Sequence, residues 1–438
     1  MGMNALDAAY ALGGLLTAPV WARKQRGGWG ERLGRVDAGV AERLATGSRP
    51  RVLLHAVSVG EVSALRTLVP ILAADAEVVV SATTDTGLAR AGELYSGTAE
   101  VVRYPLDFSR AVRRFLDAVR PDAVALTELE LWPNFLSACV RRGVAVGVIH
   151  GRLSARSFRN YHRARAVVSP MFRRLAFAAV QDASYAERFV AMGVSPQRCS
   201  VTGSMKWDNA LVRTGAPGAD ELARELGLDR SRPIVVAGST GPGEEALLCA
   251  QHREHFPGAQ LVCAPRKPER FDEAAAALPG CVRRSAGAAT AGLASGERAG
   301  GDLFLLDSIG ELGTLYAVAD VVVIGRSFGD LYGSDPTEAI GFGKATVIGP
   351  RVGDFESIVA AFESGGGIVR ATRGDIGAVV RGLLDDPGRR AELGERGRSV
   401  VRAFQGASGR HAELIHGLLS GSDRRRGGLG VGGGPDAV

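Results

Sequence analysis

Arg51-Val-Leu-Leu-His-Ala-Val-Ser-Val-Gly-Glu-Val62 decides the fold. Val52, Leu53 and Leu54 form a short apolar run of the kind that makes a buried strand. Ser58, Val59 and Gly60 interrupt it. Apolar residues then return at Val62, Leu65, Val69 and Leu72, a helical spacing. The stretch therefore reads as strand, small-residue turn, helix. Glu61 falls in the first turn of that helix, just past the carboxyl end of the strand. Open α/β sheets bind ligands in that crevice. A carboxylate there can take a proton from a substrate hydroxyl, or it can simply complement the helix dipole. Pro70 lies inside the periodic segment and should kink or end the helix.

The same rhythm continues outward. Strands are expected at 77–81, 100–104, 123–126, 144–149 and 178–180, alternating with helices such as the amphipathic 111–119, with Val201 leading into Thr202-Gly-Ser-Met-Lys-Trp-Asp208. A second alternating run begins at Pro233-Ile-Val-Val-Ala237 and continues at 260–264, 303–306 and 321–324, with Ala345-Thr-Val-Ile348 as the last strand. Strands alternating with helices imply parallel sheets covered on both faces. The chain has 438 residues, too many for one ordinary domain.

We divide it into an N-terminal helix with a basic flank (1–35), a Rossmann-like acceptor-binding domain (36–212), a linker (213–230), a second Rossmann-like domain (231–419) and a disordered tail (420–438). Residues 285–300, rich in Ala, Gly and Ser, read as a mobile loop.

Composition is globular, with 46% hydrophobic and 23% charged residues. The net charge of +6 fits an anionic membrane surface or phosphate-bearing substrates, and no basic run is interleaved with aromatics as a single-strand nucleic-acid binder would need. The five cysteines have no zinc or redox spacing, and most of them read as small buried hydrophobes. No metal box is seen, and His252 with His255 reads as a solvated helix face. Residues 5–22 are apolar but contain Asp7, two glycines and Pro19, followed by Arg23, Lys24 and Arg26. That is short of a spanning helix, which wants ~20 continuous apolar residues. The segment fits a membrane-surface or marginal anchor with interfacial Trp21 and Trp29, or else a soluble helix packed on the domain.

Several loops follow strand ends. Gly238-Ser-Thr-Gly-Pro-Gly-Glu-Glu245 could let backbone N–H groups approach a phosphate, or be a structural turn. Arg266 and Lys267 can meet phosphate or carboxylate. Ser308 to Glu311 has capping-box spacing. Gly325 to Glu338 is long and glycine-punctuated, and Glu338 could hold a ribose.

Assembled, these stretches resemble the 3-deoxy-D-manno-octulosonic acid (Kdo) transferases of lipid A biosynthesis. The resemblance rests on His55-Ala-Val-Ser-Val-Gly-Glu-Val62, Glu128-Leu-Glu-Leu-Trp-Pro-Asn134, Gly151-Arg-Leu-Ser154 and Thr202-Gly203 with Lys206 and Asp208. It continues through Gly238-Ser-Thr240, Ala264-Pro-Arg266, Gly310-Glu-Leu312, Pro336 with Glu338, and Gly349-Pro350.

The resemblance implies an α/β, GT-B type fold: two Rossmann-like domains facing a central cleft. It implies inverting transfer of Kdo from CMP-Kdo to a lipid A precursor (lipid IVA), at the cytoplasmic face of the inner membrane, with no cofactor and no metal. Glu61 matches the general base. Pro265, Arg266, Gly310, Glu311, Leu312, Asp335, Pro336, Thr337 and Glu338 match the CMP-binding segments. Ser58, Gly60, Glu128, Glu130, Arg152 and Lys206 match the acceptor or sugar side. The chain departs from the family pattern at Gly333-Ser-Asp335 after Tyr332, where Gly-Gly-His-Asn is usual. It also departs at His150, Ser204 and Gly241, where Asn, Asn and His are common. Asp335 adds a negative charge near a phosphate. These departures keep two alternatives open: a GT-B transferase with another nucleotide-sugar donor, and a non-catalytic membrane-associated scaffold.

Overall fold

The computed structural model describes residues 6–8, 10–11, 27–286 and 301–427. They form two units. One comprises the chain up to Asn209 together with the chain from Gln405, and the other comprises Ala210–Phe404.

The first unit is built on β1 (Arg51–Ala56), β2 (Glu77–Ala82), β3 (Glu100–Arg103), β4 (Ala123–Thr127), β5 (Ala145–Gly151), β6 (Phe177–Val180) and β7 (Cys199–Val201). All are parallel, in the order β3-β2-β1-β4-β5-β6-β7. The order reverses between β1 and β4, which pair with Val52 opposite Ala123. Leu53, Val79 and Val124 enter one core layer; Val52, Leu54 and Val80 enter the other. Strands buried on both faces need apolar residues at consecutive positions, so these segments read as unbroken runs.

The helical period after Gly60 is divided. Helices span Val59–Ala64 and Leu68–Ala73. The break precedes Pro70, which sits in the first turn of the second helix, where its missing N–H would have no intrahelical partner anyway.

The second unit carries β8 (Ile234–Thr240), β9 (Gln260–Pro265), β10 (Val282–Arg283), β11 (Leu303–Leu305), β12 (Val321–Ile324), β13 (Ala345–Ile348) and β14 (Val369–Arg370). The order is β10-β11-β9-β8-β12-β13-β14, again parallel, reversing between β8 and β12.

The structure differs from the sequence expectation in several places. The expected linker 213–230 contains a helix, Ala219–Leu226, whose Leu222, Ala223 and Leu226 are buried in the second unit. The second unit ends at Phe404, not at 419. The final helix, Ala407–Gly427, returns to the first unit and runs past Ser420, where a disordered tail was expected. Ala412, Ile415 and Leu419 of that helix join the core layer of Val52 and Leu54. Asp208 fastens the return: its carboxylate accepts the N–H of Gly406 at 2.6 Å and that of Ser408.

β10 and β14, two residues each, are too short to leave a pattern. His252, expected on a solvated face, is buried with Nε2 2.9 Å from the Ala259 carbonyl oxygen. Cys139, Cys249 and Cys263 are buried; Cys199 and Cys281 are only half-buried.

Asp7, which broke the apolar N-terminal segment, has a local explanation. Its carboxylate accepts the N–H of Ser109 at 2.9 Å, at the start of helix Ser109–Val119, and an amide hydrogen of Asn134 at 3.1 Å. Residues 12–26, 287–300 and 428–438, which hold most of the expected anchor, the mobile loop and the rest of the tail, lie outside the described residues. Among the described residues no helix is long and apolar enough to cross a membrane.

Three histidines of the first unit are buried and neutral. Burial pushes His55 and His150 down to about 3 and His411 to about 4. His411 Nε2 lies 2.8 Å from the backbone N–H of His150 and must accept it, so the hydrogen sits on Nδ1 and is donated to the Ala407 carbonyl at 2.6 Å. In the unfolded chain imidazoles protonate near pH ~6.5. Their contribution to stability is therefore lost as the pH falls from there toward 3. Asp107, raised to about 6 chiefly by burial, acts in the opposite sense. The expected result is that the His55 and His150 ring signals in NMR spectra do not move between pH 7 and 5. A titration midpoint near 6.5 for either ring contradicts this burial account.

Candidate active site

In the first unit the candidate residues gather where the strand order reverses. β1 delivers Ser58, Gly60 and Glu61, β4 delivers Glu128 and Glu130, and β5 delivers Arg152. Lys206 lies in the 3-10 turn Met205–Asn209 that follows β7. Ser58 is the N-cap of helix Val59–Ala64, its hydroxyl accepting the Glu61 N–H at 3.5 Å. The Glu61 carboxylate reaches back. Oε2 accepts the Val57 N–H at 2.9 Å and the Thr127 hydroxyl at 2.8 Å, and Oε1 accepts the Ser58 hydroxyl at 2.8 Å. A carboxylate offers about four lone-pair directions. Three are occupied by donors and one remains, on a residue that is only half-buried. Glu61 is thus locked in orientation without being fully saturated.

Glu128 has φ 52, a left-handed conformation uncommon for a residue with a side chain. Its backbone N–H is held by the Ile149 carbonyl at 3.1 Å. Burial raises its pKa, the charge of Glu61 raises it further, and Arg152 and Lys206 oppose them. Burial likewise raises Glu130, against a hydrogen bond from the Trp132 indole at 3.0 Å; Glu61 and Glu128 add to the rise. The three carboxylates and two cations therefore share one electrostatic neighbourhood. Gly60, at the exposed turn, supplies no side chain to it.

In the second unit the loops following β8, β9, β11 and β12 carry the other candidates. Tyr316 links them. Its buried hydroxyl is raised in pKa, by burial first, then by the charges of Glu338 and Asp335, while Arg266 lowers it. Gly238 must be glycine here: a Cβ would sit 1.9 Å from the Tyr316 oxygen. Leu312 opens the helix Leu312–Tyr316, and Glu338 lies in the helix Thr337–Gly341, with Oε1 2.2 Å from where a Cβ of Gly313 would be. Pro265 ends β9, and the Arg266 N–H donates to the Thr240 carbonyl at 3.1 Å, leaving an exposed guanidinium. Gly310 has φ 93.

Glu311 is the N-cap residue of this helix but makes no side-chain cap bond; its side chain and that of Ser308 bond to each other, and Arg284 approaches Glu311 at 3.2 Å. Asp335 accepts both the N–H of Thr337 at 2.9 Å and its hydroxyl at 2.7 Å, with Pro336 between them.

In Gly238 to Glu245 the two closing acids hold the surrounding loops together. Glu244 is buried and accepts three backbone N–H groups: Gly241 at 2.7 Å, Arg326 at 2.6 Å and Phe328 at 2.9 Å. Glu245 accepts the Thr240 hydroxyl at 2.6 Å and a two-pronged contact from Arg270 at 3.0 and 2.9 Å. Sequence reasoning missed Thr127 and Tyr316. Thr127 was detectable as a polar residue closing an apolar strand; Tyr316 carried no signal. Among the described residues no group of three or more His, Cys, Asp or Glu could hold a metal ion.

A family model described as 3-deoxy-D-manno-octulosonic-acid transferase (kdotransferase) matches residues 27–209. The 3-deoxy-D-manno-octulosonic acid transferase of Bordetella pertussis is 31% identical over 424 residues, covering 91% of this chain and 95% of its own. The chain belongs to the Kdo transferase family. The Haemophilus influenzae Kdo transferase is 29% identical, covering 83% of this chain and 86% of its own. For the fold, the crystal structure of Anabaena Alr3699/HepE in complex with UDP superposes with a TM-score of 0.55 over 85% of this chain and 100% of its own, at 13% identity. The fold is GT-B, as the family resemblance implies.

Proposed function

We propose that this chain transfers Kdo from CMP-Kdo to lipid IVA, inverting the anomeric centre. The observation that carries the proposal is Glu61: a carboxylate oriented by three donors, with lone-pair capacity left, in a chain of this family. Glu61 takes the proton of the acceptor hydroxyl. The hydroxyl oxygen bonds to the anomeric carbon, and the carbon–oxygen bond to phosphate breaks with its electron pair leaving on CMP. Arg266 stabilises the departing phosphate charge. Glu338 and the 310–312 segment hold the nucleoside. Arg152 and Lys206 take the anionic groups of the acceptor or the sugar beside Glu128 and Glu130.

Asp335 bears on the donor. Its carboxylate is engaged by Thr337, which restrains the charge that set this loop apart from the family pattern. Calorimetry with CMP, UDP and GDP tests the donor reading. CMP is expected to bind at least tenfold more tightly than either diphosphate, and a preference for UDP assigns the protein another sugar donor.

The cytoplasmic face of the inner membrane is the proposed location. Residues 131–181 contain no Asp or Glu. Within them the helix Ala155–Arg163 buries no residue and exposes Arg156, Arg159 and Arg163, followed by exposed Arg165. Tyr161 is 39% and Val167 78% exposed beside them. Exposed Arg with interspersed apolar side chains suits an anionic lipid surface. Reversing Arg156, Arg159, Arg163 and Arg165 to Glu should lower sedimentation with phosphatidylglycerol vesicles by about tenfold or more. Unchanged sedimentation removes this helix from the membrane contact.

A further inference from the structure

At the reversal point of the second sheet, Ile324 of β12 lies opposite Gly238 of β8. The chain beyond β12 crosses so close to β8 that a Cβ on Gly325 would sit 2.6 Å from the Cα of Thr240. The next residue, Arg326, has φ 58, in the left-handed region that favours glycine. Nothing in the loop releases it. Its N–H is bound to Glu244 at 2.6 Å, and its carbonyl accepts the Gly333 N–H at 2.9 Å.

The side chain runs over Gly241: a Cβ there would lie 3.3 Å from Arg326 Cγ. Position 241 thus supplies no side chain of its own, and Arg326 shares the space above it with Leu331, whose Cδ1 would lie 2.9 Å from that Cβ. Among the described residues the guanidinium has no hydrogen-bond or ion-pair partner, although the residue is half-buried. A guanidinium is always charged, is built for oxyanions, and is costly to hold partly desolvated without one.

We infer that Arg326 binds an anionic group of the nucleotide-sugar donor, either the phosphate or the sugar carboxylate. The inference rests on the reading that this unit holds CMP-Kdo and adds a donor contact at a position that would otherwise favour glycine.

Arg326→Gly provides the test, because glycine relieves the backbone conformation while removing the cation. The melting temperature should hold or rise, which a merely structural side chain would not produce together with lost affinity. If the phosphate is the partner, CMP affinity falls about tenfold or more in calorimetry, while cytidine binding is unchanged. If the carboxylate is the partner, CMP affinity stays and KM for CMP-Kdo rises by a similar factor. Wild-type CMP affinity and wild-type KM in Arg326→Gly overturn the inference alone. Wild-type protein that binds neither CMP nor CMP-Kdo overturns the donor reading and this inference with it.

Discussion

Glu61→Gln is expected to lower turnover by about 10²- to 10⁴-fold while leaving the fold and CMP affinity intact, the usual weight of a positioned general base. The substitution is nearly isosteric, and its hydrogen bonds can be followed atom by atom. The Val57 N–H can only donate, so the amide oxygen must take the place of Oε2, where it also keeps the Thr127 hydroxyl. The amide nitrogen then replaces Oε1 and donates to the Ser58 hydroxyl, which can rotate to accept. No donor is stranded, so the helix start at Ser58 survives. What is lost is the capacity to accept a proton. A Glu61→Gln protein with turnover within about tenfold of wild type would remove Glu61 from the base role.

The largest expected effect on stability lies at Glu244. Glu244→Ala strands the buried N–H groups of Gly241 and Phe328 and the half-buried N–H of Arg326 at once. An unsatisfied buried donor costs about 1–3 kcal/mol. Partial relaxation brings the total to about 3–5 kcal/mol, the range seen when one partner of a buried charged contact is deleted. For a unit of this size that lowers the melting temperature by about 10 °C. Glu244→Gln should fall between, because its oxygen can serve Gly241 and Arg326 while its NH₂ opposes the Phe328 N–H. A melting temperature for Glu244→Ala within a degree or two of wild type would contradict the role assigned to this carboxylate.

Glu61 and Glu244 show how far the sequence could be read. Both are acids in the first turn after a strand and a small-residue turn, and both accept three donors. Locally they spell the same word. One is half-exposed beside two other carboxylates; the other is buried and stitches the loop after β8 to the loop after β12. That difference depends on residues 66 and 82 positions away, at Thr127 and Arg326, which no local pattern reports.

The strands were legible because parallel strands covered on both faces require consecutive apolar residues. The motifs were legible because they follow strand ends. β10 and β14 were not, being two residues long. The return of helix Ala407–Gly427 was also hidden, because an apolar face such as Ile415 and Leu419 does not say which sheet it will cover. The Asp208 carboxylate that decides the matter lies about 200 residues earlier.

The central claim is that a carboxylate held by Val57, Ser58 and Thr127 drives Kdo transfer from a CMP-activated donor. The most direct measurement is to incubate the full-length protein with CMP-Kdo and lipid IVA and to follow released CMP and acceptor mass together. The account predicts CMP release that requires the acceptor, matched by acceptor gaining Kdo. CMP release independent of acceptor, or no acceptor product under conditions where CMP-Kdo binds, would contradict it.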